Sequence, residues 1–165
     1  MTFVVGSPPN PINGPTIVPG YPQVNVAIGV SSGQGFVYTN IPNDTVVGPN
    51  GLGPCIGLTI VSQPVPNGPV TVWVYHFGAI DNPTATINNS GPFPLGSIAY
   101  LSGGLNTEPS SMLTLEAMNN CLQGNPNITV KGYYNNTNLY VNNAGQLISY
   151  RSPGYVIEDP SLPHP

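Results

Sequence analysis

A cysteine on a glycine-rich turn and a histidine 21 positions later are the residues of this chain best suited to chemistry. Cys55 ends the segment Gly51-Leu52-Gly53-Pro54-Cys55, and His76 lies at the end of an apolar segment. Sulfur attacks a carbonyl carbon as the thiolate, so a reactive cysteine needs a base nearby. Glycine lets the backbone approach a substrate and direct free N–H groups at a developing oxyanion. The pair therefore predicts thiol nucleophilic catalysis, with His76 as the base.

The other cysteine and histidine are Cys121 and His164. Cys121 lies at the margin of a predicted helix, where an inert thiol is the usual state, and His164 lies in the C-terminal tail. The sequence leaves three states open for Cys55: a nucleophile, an inert core thiol, or one half of a disulfide with Cys121. His76 is also compatible with a core histidine. Cysteines and histidines this far apart predict no metal site.

Length and composition predict a single domain. A chain of 165 residues can bury about two thirds of its unfolded surface. Glycine, proline and asparagine together contribute 61 residues, which favours turns and short strands over long helices. The hydrophobic fraction of 39% is sufficient for a core. We expect a proline-rich arm at 1–23, a core at 35–150 and an extended tail at 152–165.

The charge of the chain argues against two classes of partner. Charged residues make up 5% of the chain, and its two basic residues, Lys131 and Arg151, leave a net charge of −4. Without a basic cluster we expect neither a nucleic acid nor an anionic membrane as partner. No apolar run is long enough to span a bilayer. The N-terminal residues also lack the cationic start of a signal peptide.

The apolar periodicity predicts an α+β fold, with a mixed or antiparallel β-sheet or sandwich, one main helix and long Pro/Asn/Gly-rich loops. Short apolar segments bounded by turn residues are typical of strands, and the longer polar segments between them of loops. Strands are predicted at 24–28, 35–39, 70–77 and 127–134, and a hairpin at 139–150. The 56–61 run is compatible with a buried strand or a short helix, and 95–101 with a short strand or the segment that leads into a helix. A loop is predicted at 41–54 and a polar connection at 81–94.

Two of these elements have the clearest patterns. The 70–77 segment is apolar on both faces, so we expect a central strand, with His76 on the same face as the valines. The main helix is predicted at 107–123, where Thr107 can cap its first turn and Gly124 can end it.

The order of these motifs and elements along the chain resembles that of the CheD-type glutamine deamidases. The superfamily includes the catalytic domains of the cytotoxic necrotizing factors and the Burkholderia lethal factor. In the CheD family a Gly-Leu-Gly-Ser-Cys turn is followed by an apolar stretch, a strand carrying histidine, a helix, a strand and a final hairpin. Here the 51–55 turn, His76, the helix from Thr107 and the 142–145 turn follow the same order. The resemblance covers residues 35–150, and the glycine-cysteine turn is its specific motif.

The resemblance implies a mechanism without metal or cofactor. Cys55 would attack the carboxamide carbon of a glutamine side chain after His76 has activated the thiol. Backbone N–H groups of Gly53 and Cys55 would hold the oxyanion. The partner implied is a protein that carries a reactive glutamine.

The third catalytic residue is the point at which the sequence departs from the family. Relatives often have a threonine six places before the cysteine, a position that Pro49 occupies here. Thr45, or Thr39, can take that role across a longer loop. A backbone carbonyl near Val47 is another way to orient the histidine, as in the toxin relatives. Pro54 replaces the small residue before the nucleophile and removes a backbone donor.

The sequence thus predicts a thiol hydrolase, a protein-glutamine deamidase of toxin or effector type. The scarcity of lysine suits an effector in a host cytosol, although compositional bias of the source genome is the favoured explanation. The alternative is a non-enzymatic, β-rich secreted or structural binding module with packing or disulfide-bonded cysteines. A second alternative keeps the Cys-His pair in another amidase or a transglutaminase-like acyl transferase.

Overall fold

A computed structural model describes residues 2–5, 11–13, 23–105, 107–134, 139–151 and 154–158. These residues form an α+β fold with one main helix, as the sequence predicted. The strands are β1 (Thr2–Val5), β2 (Pro11–Asn13), β3 (Val26–Val30), β4 (Gln34–Thr39), β5 (Thr45–Pro49), β6 (Ile56–Ser62), β7 (Thr71–Phe77), β8 (Ser97–Gly103), β9 (Ile128–Tyr134), β10 (Leu139–Val141), β11 (Leu147–Arg151) and β12 (Gly154–Ile157). The helices are α1 (Pro83–Ser90) and α2 (Pro109–Gln123).

The strands form two mixed six-stranded sheets. The first has the order β1-β4-β7-β6-β8-β9, and the second has the order β12-β11-β10-β5-β3-β2. One apolar cluster joins side chains of both sheets, among them Val47 and Val74. A second cluster joins the first sheet to the two helices through Ile87 of α1 and Met118 of α2. The first sheet is therefore the middle of three layers, and both of its faces are buried.

Strand β7 lies between β4 and β6 in this middle layer, as its two apolar faces predicted. Val74 belongs to the cluster between the sheets, and Tyr75 and Phe77 belong to the cluster beneath the helices. Because side chains alternate along a strand, His76 shares the inter-sheet face with Val74. This alternation places an imidazole in the sandwich interior, near the end of the sheet.

Three predictions about secondary structure were wrong. The 41–54 segment contains strand β5, whose five residues are all buried, and the 81–94 segment contains helix α1. Turn residues surround β5, and α1 buries only Pro83 and Ile87, so neither has a strong apolar period. Helix α2 starts at Pro109 with Glu108 as its N-cap, because the residue before a proline is held extended. The predicted capping residue Thr107 therefore lies outside the helix.

Other assignments agree with the structure. The segments left open at 56–61 and 95–101 are strands β6 and β8, and Gly124 ends α2. Strands β10 and β11 form the predicted hairpin. Most of the predicted arm at 1–23 and of the tail at 152–165, including His164, lies outside the described residues.

Candidate active site

The nucleophile candidate is held by a tight turn just before β6. The N–H of Cys55 donates to the Leu52 carbonyl at 2.7 Å. Gly53 has φ +47°, a left-handed conformation that glycine adopts without strain. The N–H of Gly104, directly after β8, donates to the carbonyls of Gly53 and Cys55 at 3.1 and 2.9 Å. The turn is thus fixed at both ends, and the half-buried Cys55 is free of any disulfide.

The first turn of α2 supports this turn from the side. Ser111, 2% exposed, donates its hydroxyl hydrogen to the Pro54 carbonyl and accepts the N–H of Leu105 at 3.4 Å. A buried hydroxyl that uses both its donor and its acceptor is a strong positional constraint. The main helix therefore sets the position of the residue immediately before Cys55.

His76 is held by a backbone carbonyl. Its side chain is 2% exposed, and Nδ1 lies 2.8 Å from the carbonyl oxygen of Val30 at the end of β3. A carbonyl only accepts, so Nδ1 must carry the hydrogen and Nε2 is the basic nitrogen. Within the described part of the chain, Nε2 is buried and has no hydrogen-bond partner.

The protonation of His76 follows from its surroundings. Burial lowers the pKa of His76 below its usual value of 6.5. The hydrogen bond to Val30 and the carboxylate of Asp81 oppose this effect without overcoming it. The ring is therefore neutral at neutral pH, with an unprotonated Nε2, and that is the form a general base requires.

The Val30 carbonyl has a second donor. The N–H of Asn50 lies 3.1 Å from the same oxygen. Asn50 begins the loop that leads to Cys55, so a single oxygen fixes both the imidazole and the start of the nucleophile loop. Both lone-pair directions of the carbonyl are used, which restricts the ring and the loop together.

Cys55 lies just before the strand that pairs with the strand carrying His76. Ile56, the first residue of β6, pairs with Phe77 of β7, and Gly57 pairs with His76. Cys55 is therefore two positions in sequence from the pairing partner of His76, in the turn that precedes β6. The sulfur lies 3.9 Å from the position that a Cβ of Gly78 would take, and Gly78 directly follows the strand that carries His76. No hydrogen bond joins the sulfur to Nε2, a common state of catalytic pairs before substrate binds.

A small cavity of about 50 Å³ opens beside the sulfur. Opposite Cys55, the cavity is bordered by the loop after β7 and by the first turns of α2. On another side of the sulfur, Ser32 Oγ of the β3–β4 turn lies 3.9 Å away. The residues lining the cavity are Pro54, Cys55, Phe77, Gly78, Ala79, Ser110 and Thr114.

Thr45 does not join this site. It pairs with Val26 at the start of β5, whereas Pro49, at the other end of β5, pairs with Val30. A rise of four residues along the strand separates these two ends by about 13 Å. The hydrogen-bond partner of His76 Nδ1 is the carbonyl of Val30, not the side chain of Thr45. A backbone carbonyl does hold His76, but it is that of Val30 on β3 and not one near Val47 on β5.

Of the two predicted oxyanion donors, the N–H groups of Gly53 and Cys55, one is already used in the structure. The Cys55 N–H is already bonded to Leu52, so it is not free to bind an oxyanion. Gly53 accepts at its carbonyl, and its N–H has no backbone acceptor in the described ranges. Sequence reasoning missed Val30 because a carbonyl contributes no residue-type signal. It missed Ser32 because the β3–β4 turn is distant in sequence from Cys55.

Cys121 lies away from this site, on α2. Its thiol lies 3.5 Å from Oδ1 of Asn88 in α1, and burial raises the pKa of Cys121. Both cysteines are free. Across the described segments there is no cluster of three His, Cys, Asp or Glu side chains that could hold a metal ion. The described helices also include none with the length and apolar character to cross a membrane.

Comparison of the chain with protein-family models, curated proteins and solved structures gave no match.

Proposed function

We propose that this protein is a thiol hydrolase that deamidates glutamine side chains of a protein substrate, with Cys55 as nucleophile and His76 as general base and acid. The observation that carries the proposal is the 2.8 Å contact between His76 Nδ1 and the Val30 carbonyl. It fixes a neutral tautomer with an unprotonated Nε2, on a residue whose strand partner Gly57 lies two positions after Cys55.

The choice of a glutamine carboxamide has two supports. The Gly-Leu-Gly-x-Cys turn and the order of elements resemble the CheD-type deamidases, and a histidine held by a backbone carbonyl resembles the toxin members of that superfamily. The cavity beside the sulfur, about 50 Å³, also suits a slender terminal group rather than a bulky side chain. The resemblance favours the carboxamide, and the size of the cavity favours an unbranched side chain.

In the first half-reaction, Nε2 of His76 takes the thiol proton of Cys55. The sulfur then bonds to the carboxamide carbon, and the carbonyl electron pair moves to oxygen. When the tetrahedral adduct collapses, the carbon–nitrogen bond breaks and the imidazolium gives its proton to the departing ammonia. A thioester between Cys55 and the substrate remains.

In the second half-reaction, water attacks the thioester while His76 takes one of its protons. The carbon–sulfur bond breaks, the sulfur leaves as thiolate, and the imidazolium returns the proton to it. The products are glutamate and the original enzyme. Because the imidazole alternates between base and acid, it must remain neutral in the resting state, as its burial ensures.

The proposal is tested by incubating the protein with casein and with a blocked glutaminyl-glycine dipeptide, measuring ammonia release and the conversion of amide to acid by mass spectrometry. We expect ammonia from the wild type and from Cys121→Ser, which preserves the candidate site. Cys55→Ser should release none. A parallel reaction with a primary amine distinguishes a transglutaminase-like enzyme, whose product would contain the amine. Unchanged release by Cys55→Ser would contradict the proposal.

A further inference from the structure

The candidate site needs an oxyanion donor that the sequence does not identify. The N–H of Cys55 is bonded to Leu52 at 2.7 Å, and Pro54 has no N–H. The N–H of Gly78, across from the sulfur, donates to Asp81 Oδ2 at 2.7 Å. The nearby backbone thus leaves only the Gly53 N–H, which has no backbone acceptor in the described ranges. A second donor for charge on the tetrahedral oxygen must therefore come from a side chain.

The hydroxyl of Ser32 lies close enough to the Cys55 sulfur to act as an oxyanion donor. Its Oγ lies 3.9 Å from Cys55 Sγ and 3.3 Å from the position that a Cβ of Gly78 would take. A donor this close to the sulfur can reach within about 3 Å of an oxygen on the carbon that bonds to that sulfur. Ser32 is exposed, so its hydroxyl can rotate towards a bound substrate.

The position of Ser32 in the chain strengthens the argument. It lies two residues after Val30, whose carbonyl fixes His76, and the Gly33 N–H donates to the His76 carbonyl at 3.0 Å. The turn between β3 and β4 is thus fastened to the strand that carries the base. The end of β3 would supply the group that orients the imidazole, and the turn directly after it a donor beside the sulfur.

We propose that the Ser32 hydroxyl donates a hydrogen bond to the oxyanion formed when the Cys55 thiolate adds to a carbonyl, which makes Ser32 a catalytic residue. This inference rests on the proposed function, because it needs Cys55 to act as the nucleophile. When sulfur bonds to the carbonyl carbon, the electron pair moves to oxygen and Ser32 Oγ–H donates to it. When the pair returns, the leaving group departs with the former carbon–heteroatom electrons, and the hydroxyl keeps its hydrogen throughout.

Two reagents separate this role from a structural one. Acylation by p-nitrophenyl acetate passes through a tetrahedral oxyanion and releases p-nitrophenolate, whereas alkylation by iodoacetamide displaces iodide without an oxyanion. We expect Ser32→Ala to slow the acylation of Cys55 by about tenfold to a hundredfold while its alkylation changes by less than about twofold. Ser32→Thr, which keeps a hydroxyl, should recover most of the acylation rate. Ser31→Ala, an exposed serine on the same turn, should match the wild type in both reactions.

Each other outcome overturns the inference. Equal slowing of both reactions in Ser32→Ala would mean that Ser32 only positions the thiol. No slowing in either would mean that Ser32 is not involved. Selective loss of acylation in Ser110→Ala or Thr114→Ala instead would assign the donor to the α2 side of the cavity. A wild-type Cys55 inert to both reagents would refute the proposed function itself, and the role of Ser32 with it.

Discussion

The carbonyl oxygen of Val30 lies 2.8 Å from Nδ1 of His76. The same oxygen accepts the N–H of Asn50 at 3.1 Å, so it joins β3, β7 and the loop before Cys55. A neutral acceptor orients the imidazole without adding a buried charge, which suits a ring whose own pKa is lowered by burial. The Val30 carbonyl orients the ring of His76, as a carboxylate orients the histidine of a serine-protease triad, but with a weaker electrostatic effect.

The absence of a side chain at position 57 is required for the packing above the site. A Cβ on Gly57 would collide with the Pro49 ring and lie 2.8 Å from Ser102 Oγ. We expect Gly57→Ala to lower the free energy of unfolding by about 1 to 3 kcal/mol in urea denaturation. Gly124→Ala is the matched control, since a Cβ there meets no atom closer than 3.5 Å and the backbone is helical. Equal stability of the two variants would contradict this packing.

The stability of the protein should depend on pH through His76. Its pKa is lowered in the folded state, so the unfolded chain binds the proton more readily. The stability contributed by the neutral ring is therefore fully present above pH about 6.5 and is lost as the pH falls through the folded-state pKa. We expect urea midpoints of the wild type to fall in this acid range more steeply than those of His76→Gln. Parallel pH profiles for the two proteins would show that His76 is not the buried neutral group.

The hydroxyl of Ser111 should stabilise the Cys55 turn. Ser111→Ala leaves the Leu105 N–H and the Pro54 carbonyl without their buried partner. We expect a loss of about 1 to 2 kcal/mol in the free energy of unfolding and slower alkylation of Cys55. Ser110→Ala, at the exposed neighbouring position, should change stability by less than about 0.5 kcal/mol. A Ser111 variant as stable as the wild type would mean that α2 does not anchor the turn.

The sequence predicted the elements that carry the site where neighbouring residues form a clear pattern, such as alternation or a glycine turn. Alternation along 70–77 placed His76 on the face of the valines. The apolar run after the glycine turn left strand and helix open, and the structure shows strand β6 there. The sequence did not predict strand β5, because turn residues surround its five buried positions. It did not predict α1, because the helix is mostly polar. The Val30 carbonyl and Ser32 reach the site through the pairing of distant strands, and neither pairing has a signature in the residues themselves.

The most direct measurement is the rate at which iodoacetamide alkylates each cysteine of the native protein near neutral pH, located by peptide mass mapping, in wild type and His76→Gln. We expect fast modification of Cys55, with Cys121 much slower because burial raises the pKa of Cys121. His76→Gln should lower the alkylation rate of Cys55 by at least about tenfold. Unfolding would instead expose both thiols and raise their alkylation rates, so a lower rate at Cys55 reports loss of the base. Equal rates for Cys55 in the two proteins, or equal rates for both cysteines in the wild type, would contradict an activated Cys55–His76 pair.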